Sequence, residues 1–367
     1  MSCKTGFKNS VIKALSSCFK GKKRAPADER RFLVVSTTGL GDTLWGVPAI
    51  RALRQNFPGA YIAVLTSPVG GELLKNNRMI NELFVLKKPH LFSILSHFFQ
   101  LRKRKIETIL LFHASQRIVF PFCAFLNPHE LIGTRGINKG LDILFSKTLE
   151  NIPIHEVERR LKIVKETGAE ILDPSLEFTL SPEDEKRAER FLKEKQISPI
   201  LPLVGIHPGS KDEFKRWPEE HFIEVGNRLV NHLGCQVVVT GNRSEKELVE
   251  RIASKIRGAV AMTGELGLGP LAALIGRFSL MLSNDTGPMH IAFAMKTPTV
   301  ALFAPTDPKL CGPYYAPRSV PIYKKRTCTP CLRKKCAAPF CLLQISPQEV
   351  YDAALTLFYQ AGAEKHV

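Results

Sequence analysis

Residues 31–65 read RFLVVSTTGLGDTLWGVPAIRALRQNFPGAYIAVL, and this stretch decides the fold class. The apolar, β-branched run Phe32–Ser36 predicts a buried strand, and the glycines of Thr37–Asp42 predict a tight turn behind it. Apolar residues at helical spacing over 44–57 then predict an amphipathic helix. Residues 60–65 predict the next strand. A strand, a helix and a strand in this order are typical of a parallel sheet with crossover helices.

The alternation of predicted strands and helices continues along the chain and begins again after a charged stretch at 181–195. A length of 367 residues fits two domains, at roughly 100–200 residues per domain. We therefore predict an α/β protein with two Rossmann-like parallel-sheet domains that face a central cleft. The predicted parts are a basic amphipathic tail (1–30), a first domain (31–180), a second domain (181–345) with a Cys-rich segment (328–341), and a C-terminal helix (346–367) that packs back across both domains.

The strands predicted for the two domains are short and apolar. In the first domain they continue at Thr108–Phe112 and around 129–134. The second domain has predicted strands, with helices between them, at Leu203–His207, Gln236–Thr240, Ala259–Met262, Leu280–Ser283 and Thr299–Phe303. The helices of this domain are predicted after Pro218, over Ser244–Ile256 and from Asp285, and the last helix of the chain over Pro347–Tyr359.

The composition is that of a folded protein with an unusual excess of bases. Hydrophobic residues make up 44% and charged residues 23%, which excludes a disordered chain, a collagen-like fibre and a small disulfide scaffold. No stretch approaches the roughly 18 uninterrupted apolar residues of a membrane span. The net charge is +18, and the bases come in blocks without acids at 1–24, 86–106 and 308–348. The blocks indicate a polyanionic partner, namely nucleic acid, anionic lipid or a phosphorylated glycolipid, unless they form an inert basic surface.

Two basic segments have the pattern of membrane-surface helices. Val11, Ile12, Leu15 and Phe19 recur at helical spacing among lysines, so the tail is either an amphipathic helix on an anionic bilayer or a solvated extension. Residues 91–101 form a strongly apolar helix between two basic runs, which is either a core helix or a membrane-facing one.

The nine cysteines favour a reducing cytosol with free thiols, since no cleavable export signal precedes them. One cluster stands apart, with the spacing C-x2-C-x4-C-x4-C. It either binds zinc or holds free thiols that form a conditional disulfide, and the spacing departs from a paired C-x2-C zinc site. The cluster consists of Cys328, Cys331, Cys336 and Cys341.

The first of three loops with chemical character is residues 36–42, Ser-Thr-Thr-Gly-Leu-Gly-Asp. It follows a strand, and Thr38, Gly39 and Gly41 line a turn that leads straight into a helix. Asp42 is thereby placed at the end of the strand, where it either contacts a ligand or caps the helix. The loop lacks the third glycine of a dinucleotide fingerprint and the Lys-Ser/Thr of a P-loop.

The second loop is residues 207–218, in which His-Pro-Gly-Ser is followed by Lys-Arg-Trp-Pro. Ser210 and the turn amides suit an anion, and Lys215 can hold a diphosphate as a point charge. The alternative is a pair of exposed bases in a loop.

The third loop is residues 283–290, Ser-Asn-Asp-Thr-Gly-Pro-Met-His, which ends a strand and opens a helix. Thr286 and Gly287 offer amides at the positive end of that helix, which suits a phosphate. Asp285 suits sugar hydroxyls. His290 lies one turn further on, as a ligand contact or as a packed histidine.

Together the loops predict a nucleotide-linked anionic ligand, with a carboxylate supplied from the other domain. No Asp-x-Asp pair occurs anywhere in the chain. Diphosphate charge would then be neutralised by Lys215 and helix amides, which favours chemistry without a metal or other cofactor.

At these residues the chain resembles glycosyltransferase family 9, the ADP-heptose–lipopolysaccharide heptosyltransferases. The resemblance runs from about Arg31 to the C-terminal helix. Its most specific element is 283–290 with Ala292, Ala294 and Thr297–Pro305. His207–Ser210 with Lys215 and Trp217-Pro218 comes next, and Gly41-Asp42 with Pro48-Ala49 follows.

The resemblance implies a GT-B fold and an inverting transfer of heptose onto a lipid-linked core sugar, at the cytoplasmic face of the inner membrane. It implies that Asp42 is the catalytic base, that Lys215 contacts phosphate and that Asp285 serves the donor sugar and the phosphate loop. Thr286, Gly287 and His290 continue that loop. The expected partners are ADP-heptose, the phosphorylated lipid A–core acceptor and the anionic membrane surface.

Three alternatives stay open at this point. A family member can use another nucleotide-sugar or acceptor. An epimerase on a similar fold would interconvert free nucleotide-sugars, and a non-catalytic protein would bind nucleotide-sugar or lipid without turnover. Nucleic acid is disfavoured as a partner because no basic motif is interleaved with aromatic residues.

Overall fold

The structure is a computed structural model that describes residues 30–88, 90–114, 118–138, 140–326, 328, 331, 336 and 340–363. The chain divides into two compact units, Met1–Pro174 and Ser175–Val367. Residues 175–180, which the sequence assigned to the first domain, therefore belong to the second unit. The predicted amphipathic tail lies outside the described residues.

The first unit is built on a parallel sheet in the order β3-β2-β1-β4-β5-β6. Its central strands are apolar along their whole length because helices cover both faces of such a sheet. In register, Val34 lies between Val64 and Leu110 on the neighbouring strands. The six strands are β1 (Arg31–Ser36), β2 (Tyr61–Thr66), β3 (Glu82–Val85), β4 (Thr108–His113), β5 (Glu130–Thr134) and β6 (Lys147–Leu149).

In the part of the first unit that the structure describes, six helices accompany this sheet, together with a short 3-10 turn at Asp142–Leu144. The helices are α1 (Leu40–Leu44), α2 (Val47–Asn56), α3 (Pro68–Leu74), α4 (His90–Lys103), α5 (Val119–Phe125) and α6 (Glu156–Lys165).

The second unit repeats the plan with the order β12-β11-β10-β7-β8-β9. In register, Leu282 lies between Ile206 and Val300. The strands are β7 (Leu203–His207), β8 (Gln236–Gly241), β9 (Val260–Thr263), β10 (Leu280–Asn284), β11 (Thr299–Phe303) and β12 (Ser319–Tyr323). The helices are α7 (Pro182–Glu194), α8 (Glu219–Leu233), α9 (Lys246–Lys255), α10 (Leu268–Gly276), α11 (Gly287–Ala294), α12 (Pro308–Cys311), α13 (Phe340–Leu343) and α14 (Pro347–Ala363), with 3-10 turns at Glu213–Lys215 and Arg243–Glu245.

Each sheet reverses its direction of growth at one point, between β1 and β4 in the first unit and between β7 and β10 in the second. Counted within its own unit, each sheet has the doubly wound strand order 3-2-1-4-5-6. In such sheets the crevice for ligands lies beyond the carboxyl ends of the strands at this switch point. The predicted loops at 36–42, 207–218 and 283–290 follow β1, β7 and β10, so the topology brings all three to switch points.

Helix boundaries are where the structure corrects the sequence. The single helix predicted over 44–57 is two helices, α1 and α2, because the ring of Pro48 removes an amide donor and blocks a continuous helix. The junction is tightly packed at Gly46, where a Cβ would lie 3.1 Å from Phe112 Cδ2. The helix predicted from Asp285 begins at Gly287, after the N-cap Thr286. The helix predicted over 244–256 begins at Lys246, after a 3-10 turn.

The C-terminal helix α14 packs on α8 and on strands β10, β11 and β12 of the second unit. Val350, Ala354 and Leu357 belong to that unit's core. Its predicted passage across both domains stays a prediction. None of the helices that the structure describes is long and apolar enough to cross a bilayer.

Candidate active site

The switch point of the first unit places Asp42 behind β1. The chain leaves the strand at Ser36, and the amide of Thr37 donates to the carbonyl of His113 on β4 (3.0 Å), which fixes the start of the loop. Gly39 is the N-cap of α1 and Asp42 lies in its first turn. One carboxylate oxygen of Asp42 accepts from the amide of Gly39 at 3.3 Å. The capping role that the sequence left open is therefore present, but it uses only one of the two oxygens.

The second oxygen of Asp42 contacts a buried arginine. Arg160 on α6 lies with its Nη2 atom 3.3 Å from Asp42 Oδ1, and its side chain is 0% exposed against 27% for Asp42. Glu156, one turn earlier, accepts from Arg160 Nη1 through both its carbonyl (2.7 Å) and its carboxylate (2.6 Å). The guanidinium also lies over the ring of Trp45, 5.3 Å from its centroid. These contacts hold Arg160 in place, and Arg160 in turn holds the carboxylate of Asp42. We call Asp42, Arg160 and Glu156 the Asp42 cluster.

Charges in this cluster perturb their neighbours in opposite directions. Burial disfavours ionisation of Glu156, but the cations Arg160 and Arg159 together outweigh it and keep the pKa of Glu156 below its ordinary value. The pKa of His113, the last residue of β4, is lowered by burial, and the negative charge of Asp42 offsets this only in part. The site therefore combines an acid, a fixed cation and a histidine held towards its neutral form.

Polar atoms close to the cluster lack protein partners. Within the part of the chain that the structure describes, the buried hydroxyls of Ser36, Thr38 and Thr134 and the Nε atom of Arg160 have no hydrogen-bond partner. Ser36 and Thr134 end β1 and β5, and Thr38 precedes Gly39. Unsatisfied buried polar atoms are rare in proteins, and they suit a ligand that carries hydroxyl groups.

The switch point of the second unit brings Lys215 and Asp285 together. Lys215 Nζ lies 2.5 Å from Asp285 Oδ2, although the two residues follow different strands. The exposed fraction is 21% for the lysine side chain and 8% for the aspartate. Lys215 ends the 3-10 turn Glu213–Lys215, and Asp285 directly follows β10. We call this pair the Lys215 cluster.

Backbone and amide contacts fix the loops that carry the pair. Asn284 accepts from the amide of Trp217 (3.1 Å) and donates to the carbonyl of Pro208 (2.8 Å), so it joins the two predicted loops directly. Arg216 donates through Nε and Nη2 to the carbonyl of Ser210 at 3.0 and 2.9 Å. Ser210 itself is buried. Arg216 therefore holds the loop, which leaves Lys215 as the cation that is presented at the switch point.

The third predicted loop ends at the positive pole of α11. Thr286 is the N-cap and its side chain makes no capping hydrogen bond, and Gly287 is the first helical residue. Amides at this end have no intrahelical acceptor, so they suit an anion. His290 is buried, with its ring 5.8 Å from that of Phe293. The packed-histidine alternative describes these surroundings, and a ligand contact by His290 stays a prediction.

A second buried histidine supports the loop at 207–210. His207 ends β7 and contacts Thr240 Oγ1 through Nδ1 at 3.0 Å. Burial lowers its pKa to about 4, against the opposing charge of Glu245, so His207 is neutral at neutral pH. A Cβ at Gly209 would lie 2.2 Å from Glu245 Oε1, so a larger residue here would displace the Glu245 carboxylate. His207 and Gly209 thus belong to the support of the loop.

The cysteine cluster shows no metal-binding geometry in the described residues. Cys328, Cys331 and Cys336 are partly exposed and Cys341 is buried. Across the described part of the chain, no group of three or more His, Cys, Asp or Glu residues is arranged to hold a metal ion. The role of this cluster stays open.

Arg160, Glu156 and His113 are the site residues that the sequence did not reveal. Arg160 and Glu156 lie on α6, whose sequence EVERRLKIVK reads as an ordinary amphipathic surface helix. The one available signal was an acid followed by an arginine at a spacing of four residues. His113 directly follows the predicted strand Thr108–Phe112, and this position was the available signal, because carboxyl ends of central strands gather at the switch point.

Comparison with known proteins gives a consistent answer. The sequence model of glycosyltransferase family 9 (heptosyltransferase) matches residues 122–341. Lipopolysaccharide heptosyltransferase 2 of Salmonella typhimurium is 26% identical over 302 residues, covering 77% of this chain and 85% of that protein. The family 9 glycosyltransferase of Veillonella parvula superposes with a TM-score of 0.81 at 24% identity, over 92% of this chain and 99% of that one. The ADP-heptose lipopolysaccharide heptosyltransferase II of E. coli gives a TM-score of 0.73 at 21% identity, over 90% and 99%.

Two doubly wound units of the same strand order, together with the likeness to the heptosyltransferase II structure, define the fold class as GT-B. Because the family model matches more than half of its residues, the chain belongs to glycosyltransferase family 9, the heptosyltransferases. The resemblance stated from the motifs is thereby confirmed.

Proposed function

We propose that this enzyme transfers heptose from ADP-heptose, with inversion, onto the inner core of lipopolysaccharide. The proposal rests on the family, on relatives that are named lipopolysaccharide heptosyltransferases, and on a similar fold in a protein named for ADP-heptose. The observation that carries it is the opposite polarity of the two clusters. The first unit presents an acid held by a buried cation, and the second presents a cation held by a buried acid.

Asp42 acts as the general base on the acceptor hydroxyl. One of its oxygens is held by the amide of Gly39 and the other by Arg160, so the carboxylate is oriented before the acceptor arrives. It takes the proton of the hydroxyl as the oxygen attacks the anomeric carbon of the heptose. The unpartnered hydroxyls of Ser36 and Thr38 supply hydrogen bonds to the acceptor sugar. Gly41 lies in the same first turn of α1 as Asp42.

The second unit holds the donor and stabilises its leaving group. Lys215 places a single positive charge where the diphosphate of ADP binds, and the amides at Thr286 and Gly287 add the positive pole of α11. Negative charge grows on the departing ADP, and these groups stabilise it in the transition state. Asp285 keeps Lys215 in position and accepts from hydroxyls of the donor sugar. Ser210 and His290 complete the donor loops.

The acceptor and the location follow from the same assignment. Lipid A and the inner core carry phosphates and acidic sugars, which suit a chain with a net charge of +18. We infer that the enzyme works as a peripheral protein at the cytoplasmic face of the inner membrane, where such an acceptor lies.

A product assay distinguishes glycosyl transfer from epimerisation and from binding without catalysis. Purified enzyme is incubated with ADP-heptose and a water-soluble, deacylated inner-core acceptor, and the products are read by mass spectrometry. Transfer predicts ADP together with an acceptor heavier by one heptose. An isomerised nucleotide-sugar with unchanged acceptor would favour the epimerase, and binding of ADP without any product would favour the non-catalytic protein.

A further inference from the structure

Helix α4 carries a row of large apolar side chains on its outer face. Phe92 is 70% exposed, Leu95 is 49% exposed and Phe99 is 66% exposed. Their spacing of three and four residues puts them on one side of the helix, in a single stripe. Exposed apolar patches of this kind mark surfaces that bind a partner or a membrane.

The opposite face of α4 is anchored in the core of the first unit. Ile94 and Leu101 are buried in that core, and the ring of Phe98 packs at 6.0 Å from that of Phe122. His97 contacts the carbonyl of Val85 through Nε2 at 3.0 Å. The helix is thus fixed by one face, and the stripe on its other face is presented on a rigid support.

Positive charge brackets the stripe at both ends of the helix. Lys87 and Lys88 are exposed just before α4, and Arg102, Lys103 and Lys105 are exposed at its end. Arg104 is paired with Glu82 at 2.8 Å. No Asp or Glu occurs between residues 83 and 106. Such a helix, apolar on one side and basic at its ends, has the chemistry of an interfacial helix on an anionic bilayer.

We propose that α4 docks the enzyme on a bilayer rich in anionic phospholipid, with Phe92, Leu95 and Phe99 at the boundary between headgroups and acyl chains. This inference rests on the proposed function, since it names the surface by which the enzyme reaches a lipid-linked acceptor. The flanking bases contact phospholipid headgroups, and each adds about fivefold to the partition coefficient. The charge favours a membrane over a second copy of this chain, because two copies would bring like charges together.

The test is sedimentation of the full chain with vesicles of phosphatidylethanolamine and phosphatidylglycerol that contain no glycolipid. The variant Phe92→Ser/Leu95→Ser/Phe99→Ser should bind at least about tenfold more weakly. The matched control, Ile143→Ser/Leu172→Ser, removes side chains of similar exposure (67% and 70%) elsewhere in the first unit and should bind as the wild type does. Neutral phosphatidylcholine vesicles should bind the wild type weakly. Equal binding of the triple variant and the wild type would overturn the proposal.

Insertion is read directly with Phe99→Trp, whose emission should shift to the blue on addition of anionic vesicles, while that of Leu172→Trp should not. Light scattering tests whether a second copy of the chain binds this face instead. If the wild type is a dimer and the triple variant is a monomer, the face belongs to a dimer interface and the proposal is overturned. Turnover on the deacylated acceptor distinguishes a failure of membrane docking from a failure of the proposed function. The triple variant should keep it, and its absence in the wild type would instead refute the proposed function.

Discussion

The Asp42 cluster and the Lys215 cluster occupy equivalent places in two sheets of the same strand order, yet their charges are interchanged. In the first unit the fully buried member is the cation Arg160, and the acid Asp42 is partly exposed. In the second unit the buried member is the acid Asp285, and the cation Lys215 is the more exposed one. A buried charge needs a partner, so in each pair the buried member fixes the other in place. One fold, used twice, thus presents a partly exposed acid in one unit and a partly exposed cation in the other, the groups that we propose as general base and phosphate contact.

Asp42→Asn should have the largest effect of the variants considered, because it removes the proposed base. The amide keeps the shape of the carboxylate and its contact with Gly39 but cannot accept the acceptor's proton, so kcat should fall by about a thousandfold. Affinity for ADP, measured by calorimetry, should not change, because we propose that the donor binds at the Lys215 cluster. The control Glu72→Gln, a surface carboxylate in the same unit, should leave both values unchanged. Wild-type turnover in Asp42→Asn would refute the base assignment.

The complementary change is Lys215→Met, which should weaken ADP binding by about ten- to a hundredfold. Part of this loss comes from the buried carboxylate of Asp285, which is left without its cation and repels the diphosphate. The double variant Lys215→Met/Asp285→Asn should therefore recover some affinity. Lys211→Met changes an exposed lysine in the same loop and should bind ADP normally. An unchanged affinity in Lys215→Met would remove its phosphate role.

A histidine near the second cluster makes stability depend on pH. The folded-state pKa of His207 is about 4 against an ordinary value of 6.5, so between these values the unfolded chain binds a proton that the folded chain does not. The free energy of unfolding is therefore not reduced by His207 above about pH 6.5, and it falls as the pH is lowered from 6.5 towards 4. Unfolding free energy should drop by about 2 kcal/mol at pH 5.

Urea unfolding followed by Trp217 fluorescence, in a Trp45→Phe background, measures this change in the second unit. His207→Gln should flatten the dependence between pH 6.5 and 4, whereas His129→Gln, an exposed histidine of the first unit, should preserve it. A slope that survives in His207→Gln would assign it to other groups.

The smallest effect is expected for Arg160→Lys, which tests whether Arg160 positions Asp42. Arg160→Lys keeps the charge but loses the fork that contacts Glu156 and Asp42 together, so kcat should fall by about tenfold with little effect on ADP affinity. A purely structural role predicts instead a loss of thermal stability with an unchanged kcat.

The contrast between the clusters also shows what a sequence reveals. The loops at 36–42, 207–218 and 283–290 were visible because each joins an apolar strand to a helix through glycine or proline, and the fold brings such loops to the switch points. Arg160 was not visible, because it meets Asp42 across 118 positions of sequence and lies in a helix of ordinary amphipathic pattern. Short edge strands such as Lys147–Leu149 were missed for a related reason, since their exposed residues carry no apolar signal.

We propose that the second unit binds an ADP-linked sugar and that Asp42 of the first unit acts as the base in its transfer. Calorimetry with ADP, UDP, GDP and ADP-heptose on the wild type and on Asp42→Asn is the most direct test. Both proteins should bind ADP and ADP-heptose selectively and with equal affinity, and only the wild type should turn ADP-heptose over when the deacylated acceptor is added. Preference for UDP or GDP, or loss of ADP binding in Asp42→Asn, would contradict it.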